Sequence, residues 1–593
     1  MSKKKSKKEP SPAEKPVSVE KPVSVEKPVS VEKPKEKPWF KFWPEDVPRH
    51  IGYPQIPLSQ ILTKVAEKTP KQIAMVYFDK EMTYGELDEA SDRFAAALAA
   101  QGVNKGDRVA IFLPNIPQFV IAYYGTLKIG AVVTAISPLY KEREVEHQLN
   151  DSEAETIVVL DALYPILAKA LTTTKVKRII VTGLKDYMPT TIAFLGSLSG
   201  KIPSFKVKRK PGTYFFKELL KEHDAKPPKV DIDPEQDLAA LQYTGGTTGI
   251  AKGAMLTHMN LLSNAVMCAE WLRGKQLDES FLAVIPLFHI YGMTTAMNTP
   301  IYLAGKIVML PRFDVVPTLK AIQKYRVTVF CGAPTMYAML LAHPNLNSFD
   351  LSSVRFCISG SAPLPPEIQK KWMDVTKGVL VEGYGLSESS PVTHSNPLDR
   401  TLKTVKVGSI GLPFPDTDAK IMDMETGETE LAAGQDGELV VAGPQVMKGY
   451  WKMDEESRDV LRKGWLYTGD IAKVDEDGYF YITDRKKDLI KYKGYSVYPR
   501  EIEDVIYEHP AVKLCAVIGK LDPVAGEIPK AFVVLKEGKT ATAEEIKEFV
   551  NNKLAPYKAV REVEFRTELP MTMVGKVLRR VLQEEERQKT AKT

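Results

Sequence analysis

The chain has 593 residues, enough for several domain-sized cores rather than one. Hydrophobic residues make up 44% and charged residues 26%, ordinary for a soluble globular protein. The net charge of +6 is concentrated at one end: residues 1–38 hold 11 lysines and 6 glutamates, so the remaining body is nearly neutral and gives no general argument for nucleic-acid binding.

Within that tail the unit Glu-Lys-Pro-Val-Ser-Val repeats three times, from Glu14 to Val31. Proline at every sixth position forbids a regular helix, and there is too little apolar mass for a core. The expectation for 1–38 is a disordered, partly extended tether. Folded sequence begins near Trp39. Apolar β-branched runs such as Arg108–Leu113, Thr156–Leu160, Arg178–Thr182 and Val327–Cys331 alternate with helical patterns such as Tyr84–Ala100, which opens on Thr83 as N-cap. This is the pattern of parallel sheets covered on both faces, an α/β protein.

Phe281–Gly305 is uncharged and long enough to span a bilayer, but Pro286, His289, Asn298 and Pro300 interrupt it, so buried strand, loop and helix are expected instead. The N-terminus lacks the apolar segment of a secretory signal. Cys268, Cys331, Cys357 and Cys515 are far apart, form no C-x-x-C pair and are read as reduced, buried thiols of a cytosolic protein. After Gly434 short strands and tight turns take over, as in Asp436–Ala442 and Asp475–Thr483, with a hairpin turn at Asp477–Gly478. The last hundred or so residues read as a small α+β unit with strands Leu514–Gly519 and Ala531–Leu535 and a helix Ala543–Lys553.

The strongest local signal is Tyr243-Thr-Gly-Gly-Thr-Thr-Gly-Ile-Ala-Lys-Gly253. Gly245, Gly246 and Gly249 permit an anion-binding nest of backbone N–H groups; Thr244, Thr247 and Thr248 add hydroxyls and Lys252 a charge. This is a phosphate-holding composition but not a Walker A loop, because no Gly-Lys-Ser/Thr follows at the required spacing.

The loop closely resembles the phosphate loop of the adenylate-forming superfamily, which contains acyl-CoA synthetases, luciferase and nonribosomal peptide synthetase adenylation domains. Its form, with Gly245 after the threonine and Ala251 where proline is common, is most similar to that of bacterial long-chain fatty acid–CoA ligases. Further motifs follow in family order. Ser359-Gly-Ser-Ala-Pro363 resembles the adenine-pocket segment, with Gly360, Ser361 and Ala362 against the base. Gly383-Tyr-Gly-Leu-Ser-Glu388 resembles the Y-G-x-T/S-E motif: Tyr384 and Gly385 at the adenine, Ser387 at the α-phosphate, Glu388 on Mg²⁺, with Thr244 as a second metal contact. Tyr467-Thr-Gly-Asp470 resembles the ribose motif, with Asp470 on the hydroxyls. Asp484-Arg-Lys-Lys-Asp488 follows, where the resemblance gives Arg485 to the nucleotide and Lys487 to an interdomain hinge. Lys491-Tyr-Lys-Gly-Tyr495 resembles the loop serving the second half-reaction, with Lys493 and Gly494 beside the pantetheine arm; Lys486 and Lys491 are read as solvated.

Pro570-Met-Thr-Met-Val-Gly-Lys576 resembles P-K-T-x-x-G-K and gives Lys576 the role of catalytic lysine, although Met571 replaces the pattern's first lysine. His289, in Pro286-Leu-Phe-His-Ile-Tyr-Gly292, occupies the position where the family places a histidine beside the acyl carboxylate, for gating or positioning; it and Thr248 complete the expected catalytic set. The resemblance implies an N-terminal domain over 39–486, with parallel-rich sheets and a small β-barrel-like part, and a mobile C-terminal domain over 487–593. It implies ATP, Mg²⁺ and coenzyme A, and a fatty acid activated as acyl-adenylate and transferred to CoA. The alternatives are a fatty acyl-AMP ligase that passes the adenylate to a carrier protein, although no insertion follows the hinge, a CoA ligase for a shorter or aromatic acid, a noncatalytic scaffold, and a luciferase-like oxygenase.

Ile192, Leu195, Leu198 and Ile202 share one face of a potential helix, Phe194 lies nearby, and the basic run Lys206-Val-Lys-Arg-Lys210 follows. Gly196 and Gly200 weaken that helix. An apolar face with a basic flank suits a membrane surface, and an ordinary surface insertion suits the pattern equally. The location expected is the cytoplasm, with peripheral contact at the inner face of the membrane and a homodimer both left open.

Overall fold

The computed structural model describes residues 37–200, 202–244, 251–274, 277–493, 495–572 and 575–590. The tail over 1–36 lies outside them.

Among the described residues there are four sheets. One has seven strands in the spatial order Thr213–Phe215, Arg178–Thr182, Thr156–Leu160, Arg108–Phe112, Val132–Ala135, Leu238–Thr244 and Lys252–Thr257. All its pairings are parallel except the last, an antiparallel hairpin that carries the glycine–threonine loop. A second sheet has nine strands. Its six central ones, from Val379–Gly385 to Ile73–Tyr77, are parallel, and antiparallel strands close both edges. Strand residues such as Ile157, Val158 and Val159 are fully buried, which is why these runs are uniformly β-branched rather than alternating.

The helices close locally. Thr83 caps Tyr84–Ala100 by accepting from the Glu86 N–H at 3.2 Å, while the Glu86 carboxylate accepts from the Thr83 N–H at 2.8 Å. The uncharged stretch becomes the strand Ser280–Ala283 and the short helical segments Ile290–Met293, Thr294–Asn298 and Thr299–Tyr302, nearly all buried. Among the described residues no helix is long and apolar enough to cross a membrane. All four cysteines are free and buried.

One expected strand shifts: Val327–Cys331 is a strand over Val329–Gly332. The hairpin turn expected at Asp477–Gly478 joins the antiparallel strands Trp465–Val474 and Phe480–Arg485; Gly478 adopts φ +85° and its N–H donates to the Asp475 carbonyl at 2.9 Å. The part expected to be barrel-like is a five-stranded antiparallel sheet built on Gly437–Ala442 and Trp465–Val474. The C-terminal part has its own five-stranded sheet, centred on Val512–Asp522 and Gly526–Leu535, and a separate small core around Ile490, Ile502, Val517 and Ile546.

The N-terminal aromatic run locks onto the large core. Trp43 packs edge-on against Trp271 at 5.2 Å, and Trp271 stacks on Phe414 at 4.8 Å. The Trp271 indole N–H donates to the Asn396 carbonyl at 3.2 Å. Trp271→Ala should lower the unfolding free energy by about 3–5 kcal/mol. Denaturant unfolding with no shift in midpoint would show that this junction does not hold the core.

Candidate active site

The hairpin Leu238–Thr244/Lys252–Thr257 pairs Thr244 with Lys252, so the two ends of the phosphate loop face each other across one rung. Gly245, Gly246, Thr247, Thr248 and Gly249 lie outside the described residues. The base of the hairpin is held from both sides. The Tyr243 hydroxyl donates to Asp151 at 2.5 Å, and His147 meets the Ala251 carbonyl at 3.1 Å. Along the outer edge the Trp451 N–H donates to the Gly253 carbonyl at 2.8 Å, and the Met255 N–H to the Gly449 carbonyl at 2.8 Å.

That second strip places Tyr450 at the centre of the loop's anchorage. Its hydroxyl donates to Glu388 Oε1 at 2.8 Å, and the Lys252 ammonium sits 5.2 Å from its ring centroid. Burial and the Glu388 charge raise the Tyr450 pKa well above the ordinary phenol value, so the hydroxyl keeps its proton and remains a donor. The Met447 N–H donates to the Glu388 carbonyl at 2.8 Å. Glu388 itself lies in the single turn Ser387–Ser389 that follows Gly385. Gly385 has no room for a side chain: a Cβ would lie 2.7 Å from the Pro391 carbonyl carbon.

A second group of residues meets at the strand pair Trp465–Val474/Phe480–Arg485, where Asp470 and Arg485 are cross-strand partners. Asp470 is buried, forms an ion pair with Arg485 Nε at 2.9 Å and accepts from the Tyr384 hydroxyl at 2.5 Å. Lys576 is half-buried on the turn Met571–Val577, which closes through the Thr572 N–H to the Lys576 carbonyl at 2.8 Å. Desolvation first, and then the charges of Arg485 and Lys487, push the Lys576 ammonium down to about 7. Lys487 still meets solvent but is pushed down to about 8 by its packed surroundings and by Arg485. His289 is pushed down to about 4, first by burial and then by Lys576, so it is neutral near pH 7. Its Nδ1 accepts from the Tyr291 N–H at 3.2 Å and caps Ile290–Met293. Tyr291 in turn reaches the Ile358 carbonyl at 2.9 Å, and its ring lies 3.2 Å from where a Gly360 Cβ would be.

Tyr384, Glu388, Asp470, Arg485, Lys487, Lys576 and His289 thus sense one another electrostatically, and Lys252 joins them through Tyr450. Gly360 meets this group through Tyr291; Ser361, at φ +71°, and Ala362 continue the same turn. Lys493 is not brought in: it is an exposed residue at the hairpin Ile490–Tyr492/Tyr495–Val497, and its charge acts on Asp522. Gly494 lies outside the described residues. Lys491, expected to be solvated, is exposed and donates to Ser496 at 2.8 Å. Lys486, expected in the same state, is likewise exposed, and its ammonium pairs with the buried Glu438 at 2.9 Å, which gives that carboxylate a cation.

Sequence reasoning missed two residues. Tyr450 sits in Gly449-Tyr450-Trp451, an aromatic pair with no chemistry-bearing spacing, and only the strand-edge pairing reveals it. Arg579 binds Glu503 at 2.5 Å and Asp488 at 3.2 Å, tying the Lys576 turn to the Asp484–Asp488 segment; its position three residues after Lys576 was the available signal.

The fold and site define a nucleotide-binding ligase of the adenylate-forming class. The "AMP-binding enzyme" family matches residues 62–451, and the "AMP-binding enzyme C-terminal domain" matches 501–576. The long-chain-fatty-acid–CoA ligase of Bacillus subtilis (strain 168) is 47% identical over 554 residues, covering 93% of this chain and 98% of that protein. The long-chain-fatty-acid–CoA ligase of Escherichia coli O157:H7 is 38% identical over 569 residues, covering 93% and 99%. The crystal structure of ATP-bound MatB from Rhodopseudomonas palustris matches with a TM-score of 0.77 at 30% identity, over 89% of this chain and 99% of that one. The chain belongs to the AMP-binding enzyme family.

An anion seated among Lys576, Lys487 and Arg485 will raise the pKa of the two lysines. Near pH 8, above the Lys576 value of about 7, binding should therefore take up protons; near pH 6 the lysines are already charged and uptake should shrink. Calorimetry of MgATP binding in buffers of different ionisation enthalpy measures this. Lys576→Gln should reduce the uptake at about pH 8, and an unchanged value would remove Lys576 from the site.

Proposed function

We propose that the chain is a long-chain fatty acid–CoA ligase that converts fatty acid and MgATP to acyl-AMP and pyrophosphate, then acyl-AMP and CoA to acyl-CoA and AMP. What supports the reading is the near-full-length similarity to long-chain-fatty-acid–CoA ligases, together with Lys576 lying within electrostatic range of His289 and of the Asp470–Arg485 pair. A fatty acid carboxylate is ionised at pH 7 and needs no base. Its obstacle is repulsion from the triphosphate, which a cation-rich, partly desolvated cleft removes.

In this reading the Tyr384 ring and the Gly360–Ala362 turn flank the adenine, Asp470 accepts from the ribose hydroxyls, and Ser387 contacts the α-phosphate. The loop from Thr244 to Lys252 cradles the outer phosphates. The carboxylate–hydroxyl pair of Glu388 and Thr244 suits a hard cation, and Tyr450 already fixes one Glu388 oxygen. Mg²⁺ held there supplies Lewis-acid neutralisation of phosphate charge. Lys576 lies against the α-phosphate and the attacking carboxylate; the acyl oxygen bonds to the α-phosphorus as the bond to pyrophosphate breaks. His289, uncharged, positions the acyl group and does not act as a base.

The CoA sulfur then attacks the acyl carbon and AMP leaves. This step requires Lys576 to withdraw, and we assign the movement to a C-terminal domain over 487–593 turning about Lys487 against 39–486, bringing Lys493 and Gly494 inward. A cytoplasmic enzyme with peripheral contact at the inner membrane face fits an amphiphilic substrate.

Lys576→Ala should slow adenylate formation about 100- to 1,000-fold while thioester formation from supplied acyl-adenylate stays within a few-fold. Equal loss of both half-reactions would sink the assignment. Pyrophosphate release across acids of different length should be highest with long fatty acids, and AMP release should require CoA. Release indifferent to fatty acids, or an adenylate accepted only by a carrier protein, would refute the substrate or the acceptor.

A further inference from the structure

The helix Thr190–Leu198 turns its apolar side outward. It contains no buried residue. Ile192 and Ala193, with Ile202 beyond the helix, pack against the large core. Thr191, Phe194, Leu195 and Leu198, at the spacing i, i+3, i+4 and i+7, form the exposed face. Phe194 and Leu195 are 64% exposed and Leu198 is 72% exposed. Ile192 and Ile202 therefore do not share an outward face with Leu195 and Leu198, as the sequence pattern suggested; Ile202 folds back to fill the space over Gly196. Beyond the helix, Phe205 is 46% exposed, its ring stacked on Tyr164 at 6.1 Å.

The chain segment beside this face is basic, although Asp161 accepts from the Phe205 N–H at 3.4 Å. From Tyr187 to Lys217 there is no acidic residue, while Lys206, Lys208, Arg209 and Lys210 follow Phe205 directly. Buried Val207 pins that run to the body and leaves the four cations exposed. Arg209 pairs with Glu218 at 2.5 Å; among the described residues no ion pair engages Lys206, Lys208 or Lys210.

We propose that the Thr190–Leu198 helix and Phe205, with the Lys206–Lys210 run, form a docking surface for a bilayer containing anionic lipids. Three or four large apolar side chains on one short helix and loop make a small patch, below the roughly 800 Å² per partner of a stable protein interface. A second copy meeting it face to face would also bring two basic runs together. An anionic bilayer instead accepts the apolar side chains at the headgroup boundary and attracts the lysines. That such docking brings the enzyme to its substrate rests on the fatty acid reading above; the docking itself does not.

The test is co-sedimentation of the full chain, tail included, with vesicles of phosphatidylcholine alone or mixed with phosphatidylglycerol. Binding should favour the mixed vesicles and weaken as salt rises. Phe194→Ser/Leu195→Ser/Leu198→Ser and, separately, Lys206→Glu/Lys208→Glu/Lys210→Glu should each weaken binding at least about 10-fold. Both should keep the parent melting temperature and the parent activity on a fatty acid held below its micellar concentration. Absence of vesicle binding, or binding retained by both variants, as the N-terminal lysines alone would give, overturns the proposal. A chain that docks as described yet activates no fatty acid would refute the ligase reading and leave this surface standing.

Discussion

The rest of the site depends on one imbalance: more positive charge is confined around Asp470 than the protein neutralises. Arg485 consumes one Asp470 oxygen and the Tyr384 hydroxyl takes the other. Lys487 and Lys576 then stand close to Arg485, with Asp470 and Asp488 as acidic groups acting on both, and Arg579 already holds Asp488. Both lysines have lowered pKa values, first because they are desolvated and then because Arg485 repels them. Crowding partly desolvated cations together is costly, so an anion received among them stabilises the arrangement.

That constraint explains why residues from distant parts of the chain converge. Asp470 and Arg485 are fixed by a single cross-strand rung, and Lys576 by a turn that Arg579 ties to Asp488 and Glu503. The Lys576 turn also touches the large domain, since a Cβ on Gly575 would lie 3.4 Å from the Thr335 methyl. Contacts between the two parts also run through Arg500, whose N–H donates to Asp484 at 2.9 Å and whose guanidinium donates to the Ile482 carbonyl at 2.7 Å, while the C-terminal part keeps a small core separate from the large one.

Much of this was legible in the sequence. Buried parallel strands announce themselves as unbroken β-branched runs, and the capping box at Thr83–Glu86 and the turn at Gly478 follow from local chemistry. Glu388, Asp470, Arg485 and Lys576 were singled out by the resemblance of their segments to family motifs, not by residue type alone. The rest depended on tertiary placement. Tyr450 gains its role only because its strip hydrogen-bonds along the Lys252–Thr257 edge. Lys486 is captured by Glu438 across a sheet that no local pattern describes. The Thr190–Leu198 helix formed despite Gly196, and which of its sides packs inward was decided by Ile202 returning over it.

The most direct measurement is a crystal structure of the full chain with a non-hydrolysable long-chain acyl-adenylate analogue. The account predicts the Lys576 ammonium on the bridging phosphate group, the Asp470 carboxylate on the ribose hydroxyls, and the acyl chain leaving past His289. An analogue bound away from Asp470, or held at Asp470 in this closed arrangement with Lys576 turned to solvent, would contradict it.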